Sequence, residues 1–434
     1  MNEGGATQPS GLGFMVRALR HRNYRLFFAG QTVSLVGSWM TRIATSWLVY
    51  RLTGSALLLG LVGFAGQIPS FLLSPVAGVL VDRWDRHRLL VVTQILAMLQ
   101  SAALAGLALA GVINIWHVLG LSLFQGLINA FDMPARQAFV VEMVERREDL
   151  PNAIALNSSM VNAARLLGPS IGGVIIAAVG EGWCFALDAV SYLAVIASLL
   201  LMRLGAPRRT APKGAKVLPE LRAGWRYVAG SPPIRSILLL LALVSLVGMP
   251  YTVLMPIFAS TVLHGGPHTL GFLMAATGVG ALLGAVFLAN RRSVLGLGRV
   301  IPLMSGLFGA GLIGFSLSRS LWLSLALLLV TGIGFMVQMA ASNTLLQTLV
   351  EDDKRGRVMS FYTMAIMGVT PFGSLLAGAL AHRMGAPRTL LFGGIGCIAA
   401  ALWFASLLPD LRERVRPIYI ERGILPAPAV TEDL

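Results

Sequence analysis

Five charged side chains stand inside long apolar stretches of the sequence: Arg42, Asp132, Arg136, Arg165 and Asp188. Charge is costly in hydrocarbon, so such residues face a protein interior or an aqueous cavity. There a carboxylate can take up and release a proton, and a guanidinium can hold an anion. Asp132 and Arg136 are four residues apart, which puts both on one helical face. Arg165 lies in the next apolar stretch and, at 1.5 Å per residue, comes out at about the depth of Asp132, roughly 12–15 Å from the same end. A carboxylate between two guanidiniums stays ionised unless a partner moves away. The trio therefore reads in two ways, as a state-dependent proton-coupling site or as a permanent ion pair.

Arg42 and Asp188 fall nearer the opposite ends of their stretches. Asp188, about a turn and a half into its run, reads as a residue close to an interface. Arg42 either snorkels to an interface or faces a polar interior, because Gln31, Ser34, Ser38, Thr41 and Thr45 make its stretch unusually polar. Gln31, Arg42, Gln67, Asn129, Asn162, Gln338 and Asn343 are candidates for lining a cavity, and each polar one also suits a hydrogen bond between helices. Three arginines against two aspartates leave a positive balance, which favours a neutral or anionic amphiphile over a dicationic one.

The elements that hold these residues follow from composition. Hydrophobic residues make up 56% of the 434 and charged residues 12%, whereas a soluble domain carries about a quarter charged; mean hydropathy is +0.76. The charges cluster and leave apolar runs of about twenty residues, the length a helix needs to cross a bilayer. Runs at 24–50, 55–81, 89–111, 115–140, 155–180 and 183–204, then 236–263, 269–290, 300–318, 320–349, 358–384 and 388–408, predict an all-α membrane protein. Its twelve transmembrane helices form two pseudo-symmetric six-helix bundles, at 24–204 and 236–408. An N-terminal segment (1–23), a basic linker (205–235) and a tail (409–434) complete the chain. In the linker, Leu218, Leu221, Trp225 and Val228 share one helical face, the pattern of a surface helix, although a solvated linker would also accommodate it.

With the N-terminus inside, 27 of the 34 Lys and Arg residues fall in cytoplasmic segments and only Arg51, Arg319, Arg383 and Arg388 in outward loops. That bias predicts both termini in the cytoplasm of a multi-pass protein of the cytoplasmic membrane. The net charge of +15 is then read as basic loops against an anionic membrane surface rather than as nucleic-acid binding. No cleaved signal peptide is expected. Cys184 and Cys397 sit in separate apolar segments and imply no disulfide framework. The sequence carries no P-loop and no HExxH motif, so direct use of ATP, a metal site and membrane-embedded enzyme chemistry are all disfavoured. The segments outside the spans are too short for an appended sensor domain. No cofactor is expected, and the chain is taken to work as a monomer whose partners are lipid and a small-molecule substrate.

The halves echo each other. Gly126, Met133 and Glu145 in the fourth run align with Gly332, Met339 and Glu351 in the tenth, and Gly168, Gly173 and Gly180 with Gly373, Gly378 and Gly385. Tandem six-span halves suit alternating access to a site between them.

The stretch GVLVDRWDRHRLL, with Gly78, Asp82, Arg83, Arg86 and Arg88, resembles the loop signature of the major facilitator superfamily, His87 replacing one basic residue. Glycine permits close helix approach, Asp82 suits a helix N-terminus, and the arginines hold the loop inside. The run Gly168, Pro169, Gly172 and Gly173 resembles the antiporter motif of proton-coupled exporters, with Ala164 where a further glycine is expected. SWLVYRLTGSALLLGLVGF, NAFDMPARQAF, LPNAIALNSSM and DKRGRVMSFY are similar to the branch of enterobactin exporters and macrolide-efflux proteins. The resemblance implies proton-driven efflux of a siderophore, drug or other amphiphile. Uptake or lipid movement by the same fold stays open. The fourth-span arginine of many such exporters would fall near Ser122, so its relay role does not carry over.

Overall fold

The computed structural model describes residues 16–203, 217–291 and 293–426. Arg208, Arg209, Lys213 and Lys216 of the linker lie outside them. Among the described residues every regular element is helical. A 3-10 turn at Arg17–Arg20 leads into α1 (Arg22–Thr53), α2 (Ala56–Ala65), α3 (Ile68–Arg83), α4 (Arg86–Leu109), α5 (Ile115–Met143), α6 (Leu150–Val179) and α7 (Glu181–Leu200). Then follow α8 (Val217–Gly230), α9 (Pro232–Val247), α10 (Tyr251–Ile257), α11 (Pro267–Ala289), α12 (Leu297–Leu317), α13 (Leu321–Leu349), α14 (Arg355–Thr363), α15 (Thr370–Met384) and α16 (Ala386–Glu421). One-turn π segments, Phe258–Val262 after α10 and Met364–Gly368 between α14 and α15, carry these helices onward.

Among the described residues ten helical segments are long and apolar enough to cross a membrane. α1 and α5, of 32 and 29 residues, are not among them. Their apolar runs are diluted by the serines, threonines and Arg42 of α1 and by Gln125, Asn129, Asp132 and Arg136 of α5. The two helices that fall short of the expected twelve on apolarity are thus the ones that carry most of the candidate chemistry.

Contacts divide the chain into two compact units, Met1–Thr53 with Ala65–Pro212, and Gly54–Phe64 with Lys213–Leu434. In the first, α1 packs on α7 and α6, α4 on α7 and α5, and α3 on α5. In the second, α9 and α12 pack on α16, α12 on α13, and α11 on α13. The aligned glycines do the same work in each. A Cβ at Gly126 would come within 2.6 Å of the Gly66 carbonyl, and one at Gly332 within 2.2 Å of the Thr277 carbonyl, so only glycine lets these helices meet backbone to backbone. Gly180 and Gly385 end α6 and α15 at φ of +92° and +86°, a conformation that costs a residue with a Cβ dearly.

Two boundaries differ from expectation. The run at 55–81 is broken at Gly66–Gln67, between α2 and α3. The last helix does not stop at 408. It passes through Pro409 and Pro417, keeps Leu411 buried, and ends only before Gly423, whose φ of +67° supplies a helix stop. The linker helix forms as α8, with Val228 buried and Trp225 exposed against Phe361 at 6.1 Å between centroids.

Candidate functional site

Asp132 sits on α5 with 2% of its surface exposed. Its Oδ1 accepts hydrogen bonds from Thr93 Oγ1 at 2.9 Å and Gln94 Nε2 at 2.7 Å, both on α4, and its Oδ2 pairs with the Arg136 guanidinium one turn along. The i,i+4 pair inferred from the sequence therefore forms, and two neutral donors from the neighbouring helix complete it. Two of these three donors, the Gln94 amide nitrogen and the guanidinium, can only donate.

Arg165 takes a different place from the one its depth suggested. It is not among the hydrogen-bonding or ion-pair partners of Asp132; its guanidinium lies 5.3 Å from the ring centroid of Trp39, and that of Arg42 lies 4.5 Å from the same ring. Depth along a helix fixes height but not azimuth, and Arg165 faces α1. The antiporter-like motif explains the approach. A Cβ at Gly168 would meet the Trp39 Cβ at 2.4 Å, and one at Gly172 would meet Ile43 Cγ2 at 2.8 Å. With Pro169 and Gly173 also buried, the motif seats α1 on α6 and brings Trp39 against both arginines. Arg42 is exposed and Arg165 half-buried.

Asp188 is deeper in protein than its position along α7 suggests, with 1% of its surface exposed. Its Oδ2 accepts from Thr41 Oγ1 at 2.8 Å and Ser101 Oγ at 2.7 Å, and Ser191 Oγ stands 3.5 Å from Oδ1. Thr93, Gln94, Trp39 and the hydroxyls around Asp188 escaped sequence reasoning. The available signal for Asp188 was a lone carboxylate in an apolar run with a serine three residues on, opposite the hydroxyl-rich stretch of α1.

The basic loop is tied down by residues beside the signature. Asp85 caps α4, its Oδ1 accepting from the Arg88 backbone N–H at 3.0 Å, while Arg86 pairs with Glu142 at 2.7 Å. His87 Nε2 lies 2.8 Å from the Leu199 carbonyl oxygen. Among the described residues a Cβ at Gly78 would meet nothing within 4 Å, so close packing does not account for glycine there. Asp82 lies in the last turn of α3, and its side chain is outside the described ones.

The remaining cavity candidates are dispersed. Gln31 and Gln338 are buried, and Gln67, Asn129, Asn162 and Asn343 half-buried. Asn129 accepts from Gln125 Nε2 at 3.1 Å, and Asn162 Nδ2 donates to the Ser158 carbonyl at 3.0 Å, both within their own helices. Gln338, fully buried, and Ser342 one turn on have no hydrogen-bond partner for their side chains among the described residues.

A family model described as transmembrane secretion effector matches residues 15–433. The staphyloferrin A transporter of Staphylococcus aureus is 28% identical, over 88% of this chain and 96% of its own. The multidrug efflux pump Tap of Mycolicibacterium fortuitum is 30% identical, over 89% and 96%, and macrolide efflux protein A of Streptococcus pyogenes 24% identical, over 88% and 96%. Among solved structures, a bacterial homologue of the human lysosomal transporter Spinster, inward-facing and occupied, aligns over 91% of this chain and 97% of its own at 14% identity and a TM-score of 0.68. A POT family transporter in complex with 5-aminolevulinic acid aligns over 90% and 96%, at 12% identity and a TM-score of 0.71. At those identities the structures speak for the fold alone.

Proposed function

The chain belongs to the transmembrane secretion effector family of the major facilitator superfamily, and from that membership we propose that it exports a small amphiphilic molecule through the cytoplasmic membrane in exchange for protons. Twelve helices cross the bilayer in this reading, α1 and α5 included. At 1.5 Å per residue each of those two exceeds the roughly 30 Å of hydrocarbon, and apart from Arg42 the polar side chains named above for them are buried or half-buried. They form two six-helix bundles with both termini cytoplasmic, a reading supported by the repeated helix pairings and the skewed Lys and Arg distribution. The transporter works by alternating access.

The observation that carries the proton-exchange reading is the burial of Asp132 and Asp188 in the first unit, deeper than Glu181, which is paired with Arg51. An ionisable group is costly there unless its charge is used. Exposed Arg42 and half-buried Arg165, both against the Trp39 ring, present cation and aromatic surface together, which suits a neutral or anionic amphiphile. The relatives are named for a siderophore, for multiple drugs and for macrolides, all of them small molecules.

Everted membrane vesicles test the reading. A macrolide, a citrate-based siderophore and an anionic dye should be screened for accumulation, with and without a protonophore. Accumulation of at least one, independent of ATP and abolished by the protonophore, is the expected result. Accumulation that persists under protonophore would overturn proton exchange, and accumulation only in right-side-out vesicles would favour uptake.

A further inference from the structure

Asp132 and Asp188, the two most deeply buried carboxylates described in the first unit, are held by different kinds of donor, and the difference decides which can change its protonation state. Asp132 faces an amide nitrogen, a guanidinium and one hydroxyl. Of these three only the Thr93 hydroxyl could accept from an acid O–H; a proton on Oδ2 would face a guanidinium that cannot accept and would leave Arg136 uncompensated. Around Asp188 every side-chain donor is a hydroxyl: Thr41 from α1, Ser101 from α4 and Ser191 from its own helix. A hydroxyl donates to a carboxylate and, by rotating its hydrogen, accepts from a carboxylic acid. Ser191 already has its hydrogen directed to the Asp188 main-chain carbonyl at 2.7 Å, so its lone pairs are free to accept from a protonated Oδ1.

The surroundings supply no fixed counter-charge. Among the described residues no cation lies within salt-bridge distance of Asp188. On α1, Arg42 stacks over Trp39 and Arg51 pairs with Glu181 at 2.7 Å; on α6, Arg165 also faces Trp39. The ionisable groups of α4 are Arg86, His87 and Arg88 at its opposite end, about 20 Å from Ser101 along the helix. α7 itself contributes Glu181, Cys184 and Tyr192, none of them a cation. Gly37 closes the remaining side, since a Cβ there would come within 2.7 Å of Oδ1 and leaves no room for a side chain. Thr41 is the half-buried member of the shell and adjoins exposed Arg42, so the carboxylate has a hydroxyl path toward the surface.

We propose that Asp188 is the proton-binding site of this transporter, taking up one proton to become a neutral acid and releasing it later in the cycle, while Asp132 stays ionised throughout. The proposal rests on the proton-exchange reading for its role in transport. Infrared difference spectroscopy on the purified full chain, titrated between acid and alkaline pH, tests it. A carboxylic-acid C=O band should rise on acidification, vanish in Asp188→Asn and persist in Asp132→Asn. The pair Thr41→Val and Ser101→Ala, which keeps the carboxyl but strips two hydroxyls, should move that band to higher frequency. This second variant decides the matter if Asp188→Asn does not fold. A band lost in Asp132→Asn instead, or unmoved by removal of the hydroxyls, would overturn the assignment. Transport separates the two claims. Asp188→Asn should retain substrate exchange between equilibrated compartments and lose at least ten-fold in gradient-driven accumulation. Wild-type accumulation by that variant, still abolished by protonophore, would sink the Asp188 assignment and leave proton exchange standing. Protonophore-insensitive transport by the wild-type chain, with the Asp188 band still titrating, would do the reverse, leaving a proton site without a coupling role.

Discussion

The two units pair their helices in the same way but fill them differently. In the first, α5 and α7 bury carboxylates that donors from α1 and α4 satisfy, and the glycines of α6 let an aromatic residue of α1 contact two arginines. In the second, no charged side chain is buried among the described residues, and the deepest amide, Gln338, has no hydrogen-bond partner among them. Duplicated helical scaffolds therefore do not imply duplicated chemistry. Close backbone contact through glycine is kept in both halves because it depends on helix crossing alone. A buried charge is kept only where neighbouring helices supply donors at the right height and angle.

The largest test of this contrast is at Asp132. Asp132→Ala should leave Arg136 without its carboxylate and cost about 3–5 kcal/mol of stability, read as a lower melting temperature in detergent. The double variant Asp132→Ala with Arg136→Leu should recover most of that loss. A single variant that melts like the wild type would mean the first unit does not depend on its buried charge.

An intermediate effect is expected at the aligned glycines. Gly168→Val forces a side chain against Trp39, and Gly373→Val forces one against the Leu246 carbonyl, 2.5 Å from the Cβ position. Each should lose roughly 1–3 kcal/mol by overpacking. Equal losses would sharpen the view that the scaffold is duplicated, whereas a loss at only one would break it. The smallest effect belongs to the second unit. Gln338→Leu and Ser342→Ala remove buried polar atoms that have no hydrogen-bond partner among the described residues, and should be neutral or stabilising by up to about 1 kcal/mol in the same melting assay. A marked loss would show that these groups are engaged after all.

Much of this was legible in the sequence. The apolar runs and their punctuation locate the long helices, the four-residue spacing of Asp132 and Arg136 predicts their pairing, and the glycine echoes predict shared crossings. What was lost is angular. Counting residues gives the height of Arg165 but not the direction it faces, so its partner was sought on α5 when Trp39 on α1 holds it. Asp188 looked interfacial because its shell consists of neutral hydroxyls from two other helices, which leave no mark in a charge pattern. The helix past 408 was cut short because charged residues were read as its end, although charge does not stop a helix.

Both cysteines of the chain, Cys184 and Cys397, are free and have no exposed surface. Alkylating reagents act on accessible thiolates, so neither sulfur should react while the protein is folded. The natural sequence is in effect its own cysteine-free background. A single cysteine placed on any exposed position can carry a spin label or fluorophore without first replacing the native pair. Slow appearance of native thiol reactivity would in turn clock the opening of α7 or α16, making these two buried sulfurs intrinsic reporters of how often each unit comes apart.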